Sequence, residues 1–385
     1  MNQENIQNDN ANATRSAFWA SLIFYGLIAF EFFYMFSPFA AYVYSIYGPG
    51  LQVLNLSEST SWLIRFFMPH IARETQSLFI TRHEVIGMVF FVGGFIAFLV
   101  GAAQIYWNKL KKKGGVFGGI YRQIRHPQYL ALMISSFGIV LVWPRYLVLF
   151  GFVTVCFAYF FLARMEEREC ERKFTDYDEY CSNTGMFLLP GIENIFNRFT
   201  WPEKKMGKIL SVIGLYIVIM LMGFAVARGI HSYAINSLYT YTTQQEVYLS
   251  LGQITQEEIA DMVTTVKSDS VVAASLNKYW NTNNRFINYM MPASLFVSEV
   301  PMHIPEGKVP THERPGDKDQ SHFKVIFSLA QFGPDGPVDG QYILYHAVNK
   351  TPVLEVWINR DTQSVEKIFN PPMDKYYEGM PVPVF

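Results

Sequence analysis

The residues most able to do chemistry lie in two clusters on either side of a pair of apolar runs. Upstream stands Gly118-Gly119-Ile120-Tyr121-Arg122-Gln123-Ile124-Arg125-His126-Pro127-Gln128-Tyr129; downstream stand Glu166-Glu167 and then Phe174, Tyr177, Tyr180 and Pro190. Arginine and protonated histidine donate to a carboxylate, whereas glutamate accepts from an ammonium or from hydroxyls. An Arg-His pair facing a Glu-Glu pair can therefore hold a zwitterion. Taken one at a time, the same residues also serve as span-end charges and interfacial anchors. The chemistry rests on the two clusters meeting.

They meet if the runs between them form a hairpin. A helix that crosses a bilayer needs about 20 mostly apolar residues. Tyr129 to Trp143 and Tyr146 to Ala163 make such a pair, joined at Pro144-Arg145, and Pro127 suits the first turn of the leading helix. Further spans are expected at Ala17 to Met35, at Val85 to Trp107 and at Ile209 to Ala227, with an apolar run continuing past Pro38 to Tyr47. The first is too long and aromatic for a cleaved signal and lacks a small-residue site. Glu31 in its middle costs about 3 kcal/mol or more by insertion scales, and reads as protonated, paired in the bundle or facing a water-filled path.

Composition agrees with a membrane chain. Half of the 385 residues are hydrophobic and 16% are charged, against about 25% charged in an average soluble domain. With a net charge of -1, no nucleic-acid partner is expected, and disorder is excluded by the hydrophobicity. Three cysteines make neither a disulfide scaffold nor a metal site by their spacing.

Lysine and arginine in the short loops give orientation. Lys109, Lys111, Lys112, Lys113, Arg122 and Arg125 follow the second span, and Arg164, Arg168, Arg172, Lys173, Arg198, Lys204, Lys205 and Lys208 follow the fourth; the connection from Gly48 to Thr81 has only Arg65 and Arg73. Both rich segments, and with them both chemical clusters, are expected in the cytoplasm. The part after His231 then lies opposite, in the periplasm if the chain is bacterial. There Glu257 to Tyr279 reads as an amphipathic helix with Ile259, Met262, Val263, Val266, Val271 and Leu276 on or near one face. Phe323 to Ala330, Gln341 to Val348, Val353 to Asn359 and Val365 to Phe369 read as strands, broken at Gly333 to Pro337, Asn349-Lys350 and Asn359 to Thr362. The expected architecture is mainly α. A polar tail (1–16) leads into a bundle of about five transmembrane helices (17–230), followed by a small extracytoplasmic α+β domain (231–385).

The hairpin and its flanks resemble the isoprenylcysteine carboxyl methyltransferase superfamily, which includes phospholipid N-methyltransferases. Its pattern Gly-x-Tyr-x-x-x-Arg-His-Pro-x-Tyr reads here as Gly119, Tyr121, Arg125, His126, Pro127 and Tyr129, and Glu166-Glu167 fall where its Glu pair belongs. In its closing Phe-Gly-x-x-Tyr-x-x-Tyr stretch, Thr175 replaces the glycine, and Tyr177 and Tyr180 each come one place early. The likeness covers about 116–191. It implies an S-adenosylmethionine site at the cytoplasmic membrane edge, with a hydrophobic acceptor entering from the lipid. By the same resemblance Arg125, His126 and Tyr129 would contact the methionyl end, Glu166 and Glu167 the ammonium or sugar, and Tyr121 and Tyr180 would line or close the pocket. The related sterol reductases carry Asn, Gly and an acid after Arg-His-Pro, where this chain has Gln128, Leu130, Ala131 and Leu132. The competing reading is a non-catalytic scaffold whose exported domain recruits a protein partner.

Topology is testable directly. In a chain lacking Cys156, Cys170 and Cys181, a membrane-impermeant thiol reagent on intact cells is expected to label Ser268→Cys and not Ser182→Cys. Equal labelling of both would place the C-terminal domain beside the motif.

Overall fold

A computed structural model describes residues 19, 49–111, 118–174, 177–190, 193, 202, 204–297, 299–309, 313–371 and 383–385. The polar tail, the first expected span except Trp19, Glu31 and the Pro38 to Tyr47 run lie outside these. Chain contacts separate two units. Among the described residues, one unit holds 84–143 and 148–225, and the other holds 49–83, 144–147 and the chain from 226 onward.

The first unit is built on α1 (Leu78–Leu110), α2 (Pro127–Val142), α3 (Tyr146–Lys173), the short α4 (Tyr177–Asn183) and α5 (Lys205–Asn236). Three of them, α1, α3 and α5, are long and apolar enough to cross a membrane, and α2 is a shorter apolar helix of 16 residues, about 24 Å long. Where the apolar run ends at Ala163, α3 continues through Arg164 to Lys173, so Glu166 and Glu167 ride on a rigid helical extension.

Lipid tails give little hydrophobic drive between helices, so association depends on close backbone packing at small residues. The α1–α2 contact is of that kind. A Cβ on Gly87 would stand 2.7 Å from the Gly138 carbonyl oxygen, and one on Gly94 would stand 2.6 Å from both the Ala131 oxygen and the Ser135 nitrogen. A turn of heptad spacing further on, Gly101 faces Gln128 and the Tyr121 hydroxyl. Ser135 Oγ donates to the Phe91 carbonyl at 3.0 Å. On the other side, Thr154 and the Tyr216 hydroxyl are hydrogen-bonded at 2.9 Å, joining α3 to α5.

The second unit centres on a six-stranded sheet in chain order, β1 (Tyr239–Thr242), β2 (Glu246–Ser250), β3 (Phe286–Pro292), β4 (His322–Phe332), β5 (Ala347–Asn359) and β6 (Ser364–Phe369). Only β2 and β3 pair in parallel, through a crossover made by α6 (Gln256–Ser268) and α7 (Ser270–Leu276). Both faces of the sheet are covered. Ile259, Met262, Val263, Val266, Val272 and Leu276 pack on Phe323, Val325 and Phe327 of one face. Ile71, Ala72, Leu295, Phe296, Val384 and Phe385 pack on Val247, Ile287, Tyr289 and Ile326 of the other.

Three expectations are corrected here. The Glu257 to Tyr279 helix is two helices, because the Asp269 side chain accepts from the Val271 and Val272 amides and restarts the helix. The phase shift buries Val272 and leaves Val271 exposed. Tyr342–His346 is a helical turn, α8, and not the start of a strand. It follows Gly340, whose φ of +64° turns the chain and whose carbonyl accepts from Ile343. Asn349 and Lys350 lie inside β5, paired with Gln331 and Ala330 rather than breaking a strand.

The connection 49–83 is also folded, through contacts within its own unit. The Glu74 carboxylate accepts from the Gln253 and Gly316 amides at 3.3 and 3.1 Å, and Phe67 donates to the Pro144 carbonyl at 2.8 Å.

Adjacent glycines on α1 provide a clean test of the helix contact. A Cβ on Gly93 meets nothing within 4 Å, unlike one on Gly94. Gly94→Ala is expected to destabilise the detergent-solubilised protein by about 1–3 kcal/mol, the usual cost of overpacking. Gly93→Ala should leave the thermal midpoint unchanged or raise it. Matching midpoints for the two variants would refute the contact.

Candidate functional site

The motif loop is stitched into place by backbone before any side chain acts. Gly119 has a φ of +65°, which suits glycine, and opens a turn of 3-10 helix through Arg122 that buries Tyr121. Gln104 Nε2 holds this turn by donating to the Gly118 carbonyl at 2.7 Å. Next, Ile124 and Gly185 form a parallel bridge, with Arg125 donating to Gly185 O at 2.8 Å and His126 to Met186 O at 3.0 Å. Pro127 then starts α2, where its missing N–H costs nothing.

Arg125 is the hub. Its Nε donates to Glu167 Oε1 at 2.6 Å, and its Nη1 donates to the Cys181 carbonyl at 3.0 Å and to the Thr184 carbonyl and hydroxyl. Nη2 lies 3.8 Å from Glu193, whose other carboxylate oxygen accepts from the Met186 amide. The guanidinium thus draws together the motif loop, the α3 extension and the segment after α4.

The two glutamates have different surroundings. The Glu167 side chain is 5% exposed and bound to Arg125, whereas that of Glu166 is 53% exposed. Of the two, Glu166 alone is open to solvent. His126 sits between them, Nδ1 3.4 Å from Glu166 and Nε2 3.6 Å from Glu167. Burial opposes its charge, but the two carboxylates outweigh that and hold the imidazolium above the usual histidine range. Tyr129 donates to Glu166 at 2.5 Å, and its ring lies between those of His126 and Tyr159, stacked at 5.7 and 4.9 Å. Tyr180 donates to the Tyr121 carbonyl at 2.5 Å. Burial pushes the Tyr180 phenol up to about 12 and raises that of Tyr121 as well, so both remain neutral donors.

All seven expected residues, Tyr121, Arg125, His126, Tyr129, Glu166, Glu167 and Tyr180, are thus linked in one cluster. Four members were not expected. Thr184 and Glu193 complete the shell around Arg125, while Tyr159 and Phe187 flank the stacked rings. A signal for Tyr159 was available, since it lies two helical turns before Glu166 on the same face of α3.

Comparison with known proteins bears on the same stretch. Residues 85–176 match the family profile described as phospholipid methyltransferase, and the C-terminal region lies outside the match. No curated protein and no solved structure matches the chain.

The contrast between the carboxylates predicts opposite mutant behaviour. Removing one partner of a buried, hydrogen-bonded ion pair costs about 3–5 kcal/mol, whereas an exposed pair is worth about 0–1 kcal/mol. Glu167→Gln is therefore expected to lower the thermal midpoint of the purified protein markedly, and Glu166→Gln to leave it nearly unchanged. Equal losses would contradict the hub.

Proposed function

We propose that this chain is an integral-membrane methyltransferase that moves a methyl group from S-adenosylmethionine to a lipid-like or membrane-anchored acceptor. The observation that carries the reading is the division of labour between the glutamates. Arg125 and Glu167 neutralise each other, which leaves Glu166 as an exposed carboxylate beside His126, whose charged form the carboxylates favour.

The donor set fits the cofactor's charged end. Among the described residues, His126 Nε2 is buried with no hydrogen bond, Glu167 standing 3.6 Å away, so it can donate to the methionyl carboxylate. Glu166 can accept from the ammonium or the ribose hydroxyls. Arg125, which the resemblance assigns to the methionyl end, is instead engaged by Glu167 and the carbonyls of Cys181 and Thr184. We assign it the positioning of His126 and Glu167. Tyr121 and Tyr180, joined by a hydrogen bond, would line or close the pocket. When bound, S-adenosylmethionine supplies a methyl already activated on a sulfonium. The chain has only to hold donor and nucleophile in line and exclude water.

The acceptor would come from the bilayer along α2 and α3. The proposed topology, with the motif in the cytoplasm and the C-terminal domain opposite, is supported by the grouping of 49–83, 144–147 and the chain from 226 onward in one compact unit. These are the stretches that the charge pattern puts outside. The scaffold reading is favoured by one observation, that the family match ends at residue 176 and leaves the sheet domain unexplained.

Calorimetry with S-adenosylhomocysteine on the detergent-purified chain separates the two. The wild type should bind, and Glu166→Gln should weaken binding by about 1.5–3 kcal/mol, the range for hydrogen bonds to charged groups, with its folding intact. No binding at millimolar ligand would leave the scaffold reading standing.

A further inference from the structure

A group of basic side chains in the second unit has no part in the chemistry above. Arg65, Arg228, His231 and His346 lie close enough to act on one another electrostatically. A carboxylate, that of Asp335, lies 3.7 Å from Arg65 and is half exposed. Arg65 Nη1 reaches the Tyr345 carbonyl at 3.5 Å, but among the described residues its buried Nε has no hydrogen-bond partner. Nor do the buried Nδ1 atoms of His231 and His346. His231 is 7% exposed, so bulk water does not serve it. An unmet buried polar group costs about 1–3 kcal/mol, and unmet nitrogens gathered beside two arginines suit an anion.

The space beside them has the right character. Arg65 and His231 line a chamber of about 10 Å³ walled by Ile64, Phe66, Leu344 and Tyr345, room for about one oxygen-sized group. Aromatic rings pack round the imidazole, with Tyr345 at 5.3 Å and Phe385 at 5.5 Å. Outside, Arg228 is exposed and follows the apolar run Ile209 to Ala227 directly, the level at which a bilayer carries its phosphates.

We propose that Arg65, Arg228, His231 and His346 form a binding site for a phosphate oxyanion. One oxygen enters the chamber beside Arg65 and His231, and the remaining oxygens face Arg228 and solvent. Arg65 donates from Nε in every charge state, and an imidazole donates from both nitrogens once an anion beside it stabilises its charge. The phosphate can belong to a lipid headgroup or be free. The site is independent of the methyl-transfer reading.

The full-length chain in detergent tests this through its thermal midpoint, titrated separately with dihexanoyl phosphatidylglycerol, inorganic phosphate and uncharged dihexanoylglycerol. Phosphatidylglycerol is expected to raise the midpoint and dihexanoylglycerol to leave it unmoved. A response to inorganic phosphate as well assigns the site to the oxyanion itself, and a response to phosphatidylglycerol alone assigns it to a headgroup. Arg228→Gln, an exposed change that should not disturb folding, is expected to raise the half-saturating concentration at least five-fold, as is Arg65→Gln where it folds. No response to either phosphate compound overturns the proposal. So does an unchanged half-saturating concentration in folded Arg228→Gln.

Discussion

The ion pair between Arg125 and Glu167 is the constraint on which the candidate site depends. Its side chains are 9% and 5% exposed, too buried to be stable apart. Desolvating two charges is recovered only when the geometry is good and the remaining donors are satisfied. Here they are, by the carbonyls of Cys181 and Thr184. Three chain segments therefore have to arrive together. The end of α4 and the residue after it supply these carbonyls, without which the guanidinium would be left unsatisfied. The pair also decides which glutamate is available, because neutralising Glu167 makes Glu166 the carboxylate that a ligand meets.

That cluster is held at a fixed place along the membrane by the α1–α2 contact. Gly87 and Gly94 bring the two backbones within touching distance of Gly138, Ala131 and Ser135. The helices are thereby locked in register, because a slip would drive a carbonyl into a side chain. At the motif end of the same line, the Tyr121 hydroxyl reaches the Gly101 carbonyl at 3.5 Å. The motif turn is thus keyed to the helix register rather than free to slide along it. A site that must align a donor with a nucleophile needs such rigidity, since small misplacements lose much of the benefit of proximity.

Much of this was legible in the residues. Arg125-His126-Pro127 and Glu166-Glu167 announce a charged cluster because their chemistry has no place in lipid, and the intervening runs fold them together. The inequality of the glutamates could also have been read. Neighbours on a helix point about 100° apart, so one of the two must turn away from Arg125. The heptad spacing of Gly87, Gly94 and Gly101 was in plain view, and marks a helix face that only backbone can meet. The first three strands were harder. Phe286–Pro292 is buried throughout, so it shows none of the alternation that identifies a strand with one wet face. Lys350 misleads for a related reason. It reads as a turn residue, but β5 carries it inward, where its amine donates to the Pro383 carbonyl and burial pulls it down to about 7.

The organisation of the second unit supports the proposed topology by a route independent of charge counting. Lysine and arginine in the loops give each connection a side, one at a time. The packing gives only membership: 49–83, the hairpin tip 144–147 and the chain from 226 onward form one compact unit. Under the proposed topology these three stretches share a side whatever the count of spans at the N-terminus. The charge rule assigns the same three stretches to one side, and the motif loop and the α3 extension to the other. For either to be wrong alone, the membership would have to be coincidental. The tip at Pro144 and the motif at His126 are also the two ends of α2, and a helix that crosses has its ends on opposite faces. The proposed topology therefore rests on the hairpin as well as on α5.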